Sequence, residues 1–113
     1  MKRSEINHAI SKAKILIDEY KWALPKWAYW SKSDYNAQPA VAEYLRQHQM
    51  GWDVTDFGRG NFNKEGIILF CVRNGMQNID NEKPYAEKLL FMQEDQVIPF
   101  HSHKIKLEDI INR

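Results

Sequence analysis

The sequence has one cysteine, Cys71, no long apolar run and no excess of charge of either sign. A single cysteine cannot form an internal disulfide, so we expect a protein of a reducing compartment. No apolar run approaches the roughly 18 residues of a membrane span, and the N-terminus has no apolar segment of signal-peptide length, which predicts a cytoplasmic protein. Sixteen basic and fifteen acidic residues give a formal net charge of +1. We therefore expect neither nucleic acid nor a membrane as a partner.

The first part of the chain has helical periodicity. Residues 4–20 place apolar side chains at helical spacing, with Ser4 as the expected N-cap and Glu5 in the first turn. The segment "LPKWAYW" after this helix is expected to be extended, and a weaker helical pattern covers about 39–49. His8 and His48 lie in these helical parts, and we interpret both as solvated histidines.

The sequence pattern changes after Gly51, where short β-rich runs are separated by turn residues. Strands are predicted at 52–57, 66–73, 83–92 and 97–103, with turns at "GRGN", "NG" and "QEDQ". Helices followed by successive strands predict an α+β fold with an antiparallel sheet or barrel. We divide the single domain into a helical, aromatic-rich region, 1–50, and a β region, 51–113.

The segment "HSHKIKLED" carries a pattern that suits a metal ion. His101 and His103 are two residues apart, so on a strand their rings share a face, and Glu108 follows five residues later. Two imidazoles and one carboxylate form a mixed N/O set that suits a first-row divalent ion, such as Mn, Fe, Co, Ni or Zn. The alternative is two surface histidines and an unrelated acid.

Lys88 is the second unusual residue, because along "AEKLLFM" it shares strand parity with Ala86, Leu90 and Met92. Either Lys88 or Glu87 must therefore point toward an interior unless the strand lies at a sheet edge. A buried lysine costs several kcal/mol unless it is paired or used, so a functional role competes with an ion pair or a snorkelling side chain. Cys71, in contrast, is interpreted as a small core residue.

These motifs resemble known families. Asp95, His101, His103 and Glu108 fit the cupin metal motif G(X)5HXH(X)3–4E(X)6G in order, with Asp95 in place of the first glycine. Asp tolerates the left-handed turn conformation better than most residues, so this departure is mild. More specifically, "GWDVTDFGRGNF", "LFCVRNG", "KPYAEKL" and "HSHKIKLEDIINR" resemble the N-terminal half of bacterial D-lyxose isomerases, and the likeness covers essentially the whole chain.

The resemblance implies a manganese-dependent sugar isomerase built on a cupin jelly-roll barrel. Such an enzyme interconverts D-lyxose and D-xylulose, and also acts on D-mannose and D-fructose. It implies that His101, His103 and Glu108 hold Mn²⁺ together with another histidine. It also implies that Lys88 contacts the sugar and that His101 and Glu108 take part in substrate binding. The catalytic base has no assigned residue and is expected beyond Arg113.

Family members are longer than this chain, so the resemblance implies an N-terminal fragment with an incomplete barrel. Exposed strand edges would then be covered by another copy, as in a dimer, or by another chain, and the fragment alone is expected to be inactive. Two alternatives stay open at this point. One is a different metal-dependent cupin enzyme, such as an oxygenase, and the other is a non-catalytic domain that binds a metal or a sugar.

Overall fold

The computed structural model describes residues 1–76, 83–99, 101–102 and 107–112. Within these residues, three α-helices and one 3-10 helix precede a three-stranded antiparallel sheet with strand order β1-β2-β3. The elements are α1 (Arg3–Glu19), the 3-10 helix (Lys26–Tyr29), α2 (Lys32–Ala37), α3 (Pro39–Gln47), β1 (Gly51–Thr55), β2 (Ile67–Asn74) and β3 (Ala86–Phe91). The predicted α+β class with an antiparallel sheet is confirmed, whereas a jelly-roll barrel remains a prediction. None of the helices in this described part is long and apolar enough to cross a membrane.

Helix α1 forms where its periodicity predicts it, but it starts earlier than expected. Lys2, rather than Ser4, occupies the N-cap position, and the Lys2 backbone N–H donates to the Glu5 carboxylate at 3.4 Å. Glu5 therefore lies in the first turn, as predicted. Its carboxylate accepts a backbone N–H that has no acceptor within the helix. Small residues, Ala9 and Ala13, let the buried face of α1 approach the sheet closely.

The prediction of an extended "LPKWAYW" segment is wrong for Lys26–Tyr29, which form the 3-10 helix. Pro25 is itself extended, with φ −61° and ψ 153°, but its carbonyl accepts the Ala28 N–H at 3.0 Å and so closes a tight turn. Helix α2 was not predicted from the sequence. Its start is fixed by a capping box in which Ser31 and Asp34 exchange hydrogen bonds.

His48 is not the solvated histidine that the sequence analysis expected. It lies at the C-cap of α3 and is only 4% exposed. Its ring Nδ1 donates to the Tyr44 carbonyl at 2.9 Å, and the ring stacks on the Tyr44 ring. The helix end turns the imidazole back over the preceding turn, which is why helical position alone gave the wrong exposure. His8, in α1, is exposed as predicted.

The sheet packs on the helices through aromatic side chains. Phe70, in the centre of β2, has no exposed surface. Trp27 stacks on its ring at 5.1 Å between centroids, and Trp52 meets it edge-on at 4.8 Å. Trp52 also donates its indole N–H to the Ala28 carbonyl at 2.9 Å, which attaches β1 to the 3-10 helix. This aromatic contact joins the helical region to the sheet.

The predicted strand at 97–103 is not present in the described residues 97–99 and 101–102. Val97 makes an isolated bridge with Glu65, in which its N–H donates to the Lys64 carbonyl at 2.8 Å. Pro99 has no N–H with which to extend such a ladder. Residues 100 and 103, which complete the predicted strand, lie outside the described residues.

Replacing Phe70 with alanine should lower the free energy of unfolding by about 3–5 kcal/mol, because it removes a buried ring and leaves a cavity between two tryptophans. Chemical denaturation followed by tryptophan fluorescence measures this loss. Tyr85→Ala is the matched control, since Tyr85 is 52% exposed and its ring should contribute less than about 1 kcal/mol. Equal losses in the two variants would contradict the central role of Phe70.

Candidate functional site

The two faces of the sheet have different surroundings. On the first face, Trp52 and Phe91 pack against the cluster of Ala9, Ala13 and Ile68. The register pairs Asp53 with Leu69 and Leu69 with Leu90, and it pairs Gly51 with Cys71 and Cys71 with Lys88. Directly opposite residues share a face, so the other face, here called the second face, presents Asp53, Leu69, Cys71, Lys88 and Leu90.

Lys88 lies on the second face and is exposed, although its parity group is apolar. The reason is that β3 is an edge strand of the described sheet, the exception that the parity argument allowed. Glu87, of opposite parity, instead makes an ion pair with Arg73 at 3.1 Å. Strand parity therefore correctly predicted that Lys88 and Glu87 lie on opposite faces, but it did not predict that both are exposed.

A concavity of about 540 Å³ lies beside the second face. Its volume falls within the range of about 300–1,000 Å³ that is usual for small-molecule sites. Polar and charged side chains from α3 and the three strands border it, including Arg46, Asp53, Asn74 and Lys88. Arg46 forms an ion pair with Glu43, and the Asn74 amide donates to the His48 carbonyl at 2.7 Å. This concavity is called the sheet cavity below.

Cys71 borders the sheet cavity and is the direct cross-strand neighbour of Lys88. It is a free cysteine, 4% exposed, so its interpretation as a small core residue is confirmed. Burial raises the pKa of the Cys71 thiol, and the nearby Lys88 charge offsets part of that rise by favouring the thiolate. The side chains of Cys71 and Lys88 are thus electrostatically coupled across the strand pair.

The turn that follows β3 leads toward the two described residues of the predicted metal set. Asp95 has φ +65°, the left-handed conformation that its place in the motif requires. Gln96 is 7% exposed, and its side chain accepts the Gln93 N–H at 3.0 Å while donating to the Phe62 carbonyl. These bonds fix the turn against the loop before β2, and Val97 continues that attachment.

His101 is exposed, and its Nδ1 lies 2.9 Å from the Pro99 carbonyl oxygen. A carbonyl oxygen only accepts, so Nδ1 donates its proton in this contact, and in a neutral ring the lone pair is then on Nε2. Metal-bound histidines commonly use this arrangement, in which a backbone carbonyl fixes the tautomer and the ring orientation. The donor chemistry of His101 therefore fits a metal ligand.

Glu108 and His103 are the other members of the predicted metal set. Glu108 is exposed and lies outside regular secondary structure, and His103 lies outside the described residues. Among the residues that the structure describes, no group of three or more His, Cys, Asp or Glu side chains could hold a metal ion. Neither His101 nor Glu108 is among the described residues that border the sheet cavity. The three-residue metal site stays a prediction.

Sequence reasoning did not identify Asp53 or the cavity that it borders. Asp53 occupies the middle of β1, where its neighbours are Trp52 and Val54. Aspartate is depleted in strands, so an acid at this position was a local signal of an unusual residue. Its relation to Lys88 needs the register of three strands, which the sequence does not supply.

Comparison with known proteins indicates the family of this chain. The sequence model of the D-lyxose isomerase family matches residues 1–113. A D-lyxose/D-mannose isomerase from Escherichia coli O157:H7 is 39% identical over 115 aligned residues, which include all of this chain and 51% of the relative. A D-lyxose/D-mannose isomerase from Serratia proteamaculans is 36% identical over 122 residues, with 100% of this chain and 50% of the relative covered. The chain thus spans about half the length of the curated relatives it matches.

Removing the Lys88 charge should slow the reaction of Cys71 with a thiol reagent. Lys88→Met takes away a cation that favours the thiolate, so the pKa of Cys71 should rise further and its labelling should need a higher pH. The pH profile of the reaction with dithionitrobenzoate measures the shift. Lys83→Met, which removes an exposed lysine before β3, is the control. Identical profiles for the two variants would contradict the coupling.

Proposed function

Because the chain belongs to the D-lyxose isomerase family, we propose that it contributes a sugar-contacting lysine and part of a metal site to an aldose–ketose isomerase. The family match over residues 1–113 carries this proposal. The proposed substrates are D-lyxose and D-mannose, which both curated relatives carry in their names. Their proposed products are D-xylulose and D-fructose.

The proposed reaction moves a proton between C1 and C2 of the open-chain sugar through an enediol. As the proton leaves, negative charge develops on the carbonyl oxygen, which is on C1 in the aldose and on C2 in the ketose, so groups that stabilise this charge lower the barrier. Lys88 suits such a role, because its ammonium donates hydrogen bonds and its side chain borders a cavity of suitable size. We assign the base that transfers the proton to none of the described residues.

Mn²⁺ is the proposed ion, and His101, His103 and Glu108 are its proposed ligands. The observation that supports His101 is the contact of its Nδ1 with the Pro99 carbonyl, because that contact places the lone pair on Nε2. A bound divalent ion would polarise the sugar carbonyl and hydroxyl oxygens. The carbonyl of Pro99 would keep the His101 ring in the tautomer that ligation needs. A fourth ligand is proposed to come from the part of the family sequence that this chain does not match.

The metal proposal predicts that His101→Ala and His103→Ala each lower bound Mn²⁺ by about tenfold or more, since each removes a ligand. Equilibrium dialysis followed by elemental analysis gives the metal content. His8→Ala is the matched control, because His8 is an exposed helical histidine outside the proposed set. Metal content that is equal in all three variants and in the parent chain would exclude this ligand assignment.

The isomerase proposal requires the part of the family that the chain does not match. We therefore expect D-lyxose conversion from the 113 residues joined to the unmatched half of the E. coli O157:H7 relative, and little from the 113 residues alone. In the joined protein, Lys88→Met should lower turnover about 100-fold while Mn²⁺ content is unchanged, because it removes a group that stabilises charge only during reaction.

Formation of D-xylulose, followed by chromatography, provides the measurement. Lys83→Met in the same joined protein should leave turnover within about twofold of the parent. A joined protein that folds, holds Mn²⁺ and forms no D-xylulose would refute the proposed activity. Full turnover by the Lys88→Met variant would refute only the role of Lys88.

A further inference from the structure

We propose that Asp53 is a sugar-binding residue that faces Lys88 across the sheet cavity and accepts hydrogen bonds from hydroxyl groups of the substrate. The inference rests on the proposed function, because it assigns a second contact to the same sugar. The ligand proposed for the sheet cavity is a polyol of pentose or hexose size, and D-lyxose is the first candidate.

The positions of the two charges come from the strand register. Asp53 is on β1 and Lys88 is on β3, with β2 between them. Two strand spacings place their Cα atoms at least about 10 Å apart. Both side chains are exposed on the second face, and both border the sheet cavity. A ligand in this cavity would therefore meet a carboxylate on one side and an ammonium on the other.

Asp53 and Lys88 differ from the charged residues near them, which are paired. Arg46 is paired with Glu43, and Arg73 is paired with Glu87. In the described part of the chain, neither the Asp53 carboxylate nor the Lys88 ammonium makes a side-chain hydrogen bond or an ion pair. Both groups therefore keep their hydrogen-bonding capacity for a ligand.

The chemistry of this pair suits a polyol. An ionised carboxylate only accepts hydrogen bonds and an ammonium only donates them, whereas each sugar hydroxyl does both. Leu69 lies between them on β2 and supplies an apolar surface for the C–H groups of a sugar.

The test is a titration of the ¹⁵N-labelled 113-residue chain with D-lyxose in a buffer that contains EDTA, followed by amide chemical shifts. We expect the largest shifts at amides around the sheet cavity, including those of Asp53 and Lys88. Asp53→Ala should weaken Kd by about tenfold, because it removes a charge-assisted hydrogen bond. Lys88→Met should have an effect of similar size, and Asp53→Asn provides a second, isosteric variant if the alanine variant does not fold.

Asp18→Ala is the matched control, since Asp18 is an exposed acid on α1 far along the chain from β1. Its Kd and its melting temperature should equal those of the parent. Unchanged affinity in the Asp53 variants, shifts confined to other surfaces, or no shift at any cavity amide would each overturn the inference. Failure of the proposed isomerase activity would be a different result. That activity is measured as D-xylulose formation by the joined protein, whereas the role of Asp53 is measured as sugar binding in the absence of metal.

Discussion

The packing of Trp27 and Trp52 on Phe70 is the contact on which the remaining structure depends. Phe70 is fully buried in the central strand, and the two indole rings reach it from the 3-10 helix and from β1. Because Trp52 also donates to the Ala28 carbonyl, the same contact fixes the helical region to the sheet in one orientation. The register of β1 and β3 on β2 then determines which side chains share the second face.

The first face of the sheet is used for stability, and the second face holds the unpaired charges of the candidate site. Phe70 is buried and Trp52 and Phe91 are half-buried on one side, which leaves the alternate positions of the same strands on the other side, where Asp53 and Lys88 lie. A rigid, two-layer support suits a binding site, because hydrogen-bonding groups recognise a ligand best when their backbone does not rearrange. Cys71 lies on the second face, directly opposite Lys88, but its side chain is buried.

The proposed metal-binding segment depends on a different support. The buried Gln96 side chain fixes the turn after β3 to the Phe62 carbonyl, and Val97 bridges to the segment before β2. Asp95 takes the left-handed conformation of that turn at the place where the motif has glycine. The chain therefore leaves the sheet in a direction set by hydrogen bonds rather than by apolar packing, and His101 follows with its tautomer fixed by Pro99.

The local features could be predicted from the sequence alone, because they depend on side chains that are close in the chain. The periodicity of α1, the apolar run of β2, the strand parity of Lys88 and the tolerance of Asp95 for its turn all follow from short-range chemistry. Its motifs also indicated the family, which the comparison confirmed over all 113 residues. Three features could be seen only in the three-dimensional structure: the burial of His48, the position of Lys88 on an edge strand of the described sheet, and its place opposite Cys71. The tertiary structure alone brought Asp53 to the same cavity, because strand register and helix docking depend on contacts between residues that are far apart in the chain.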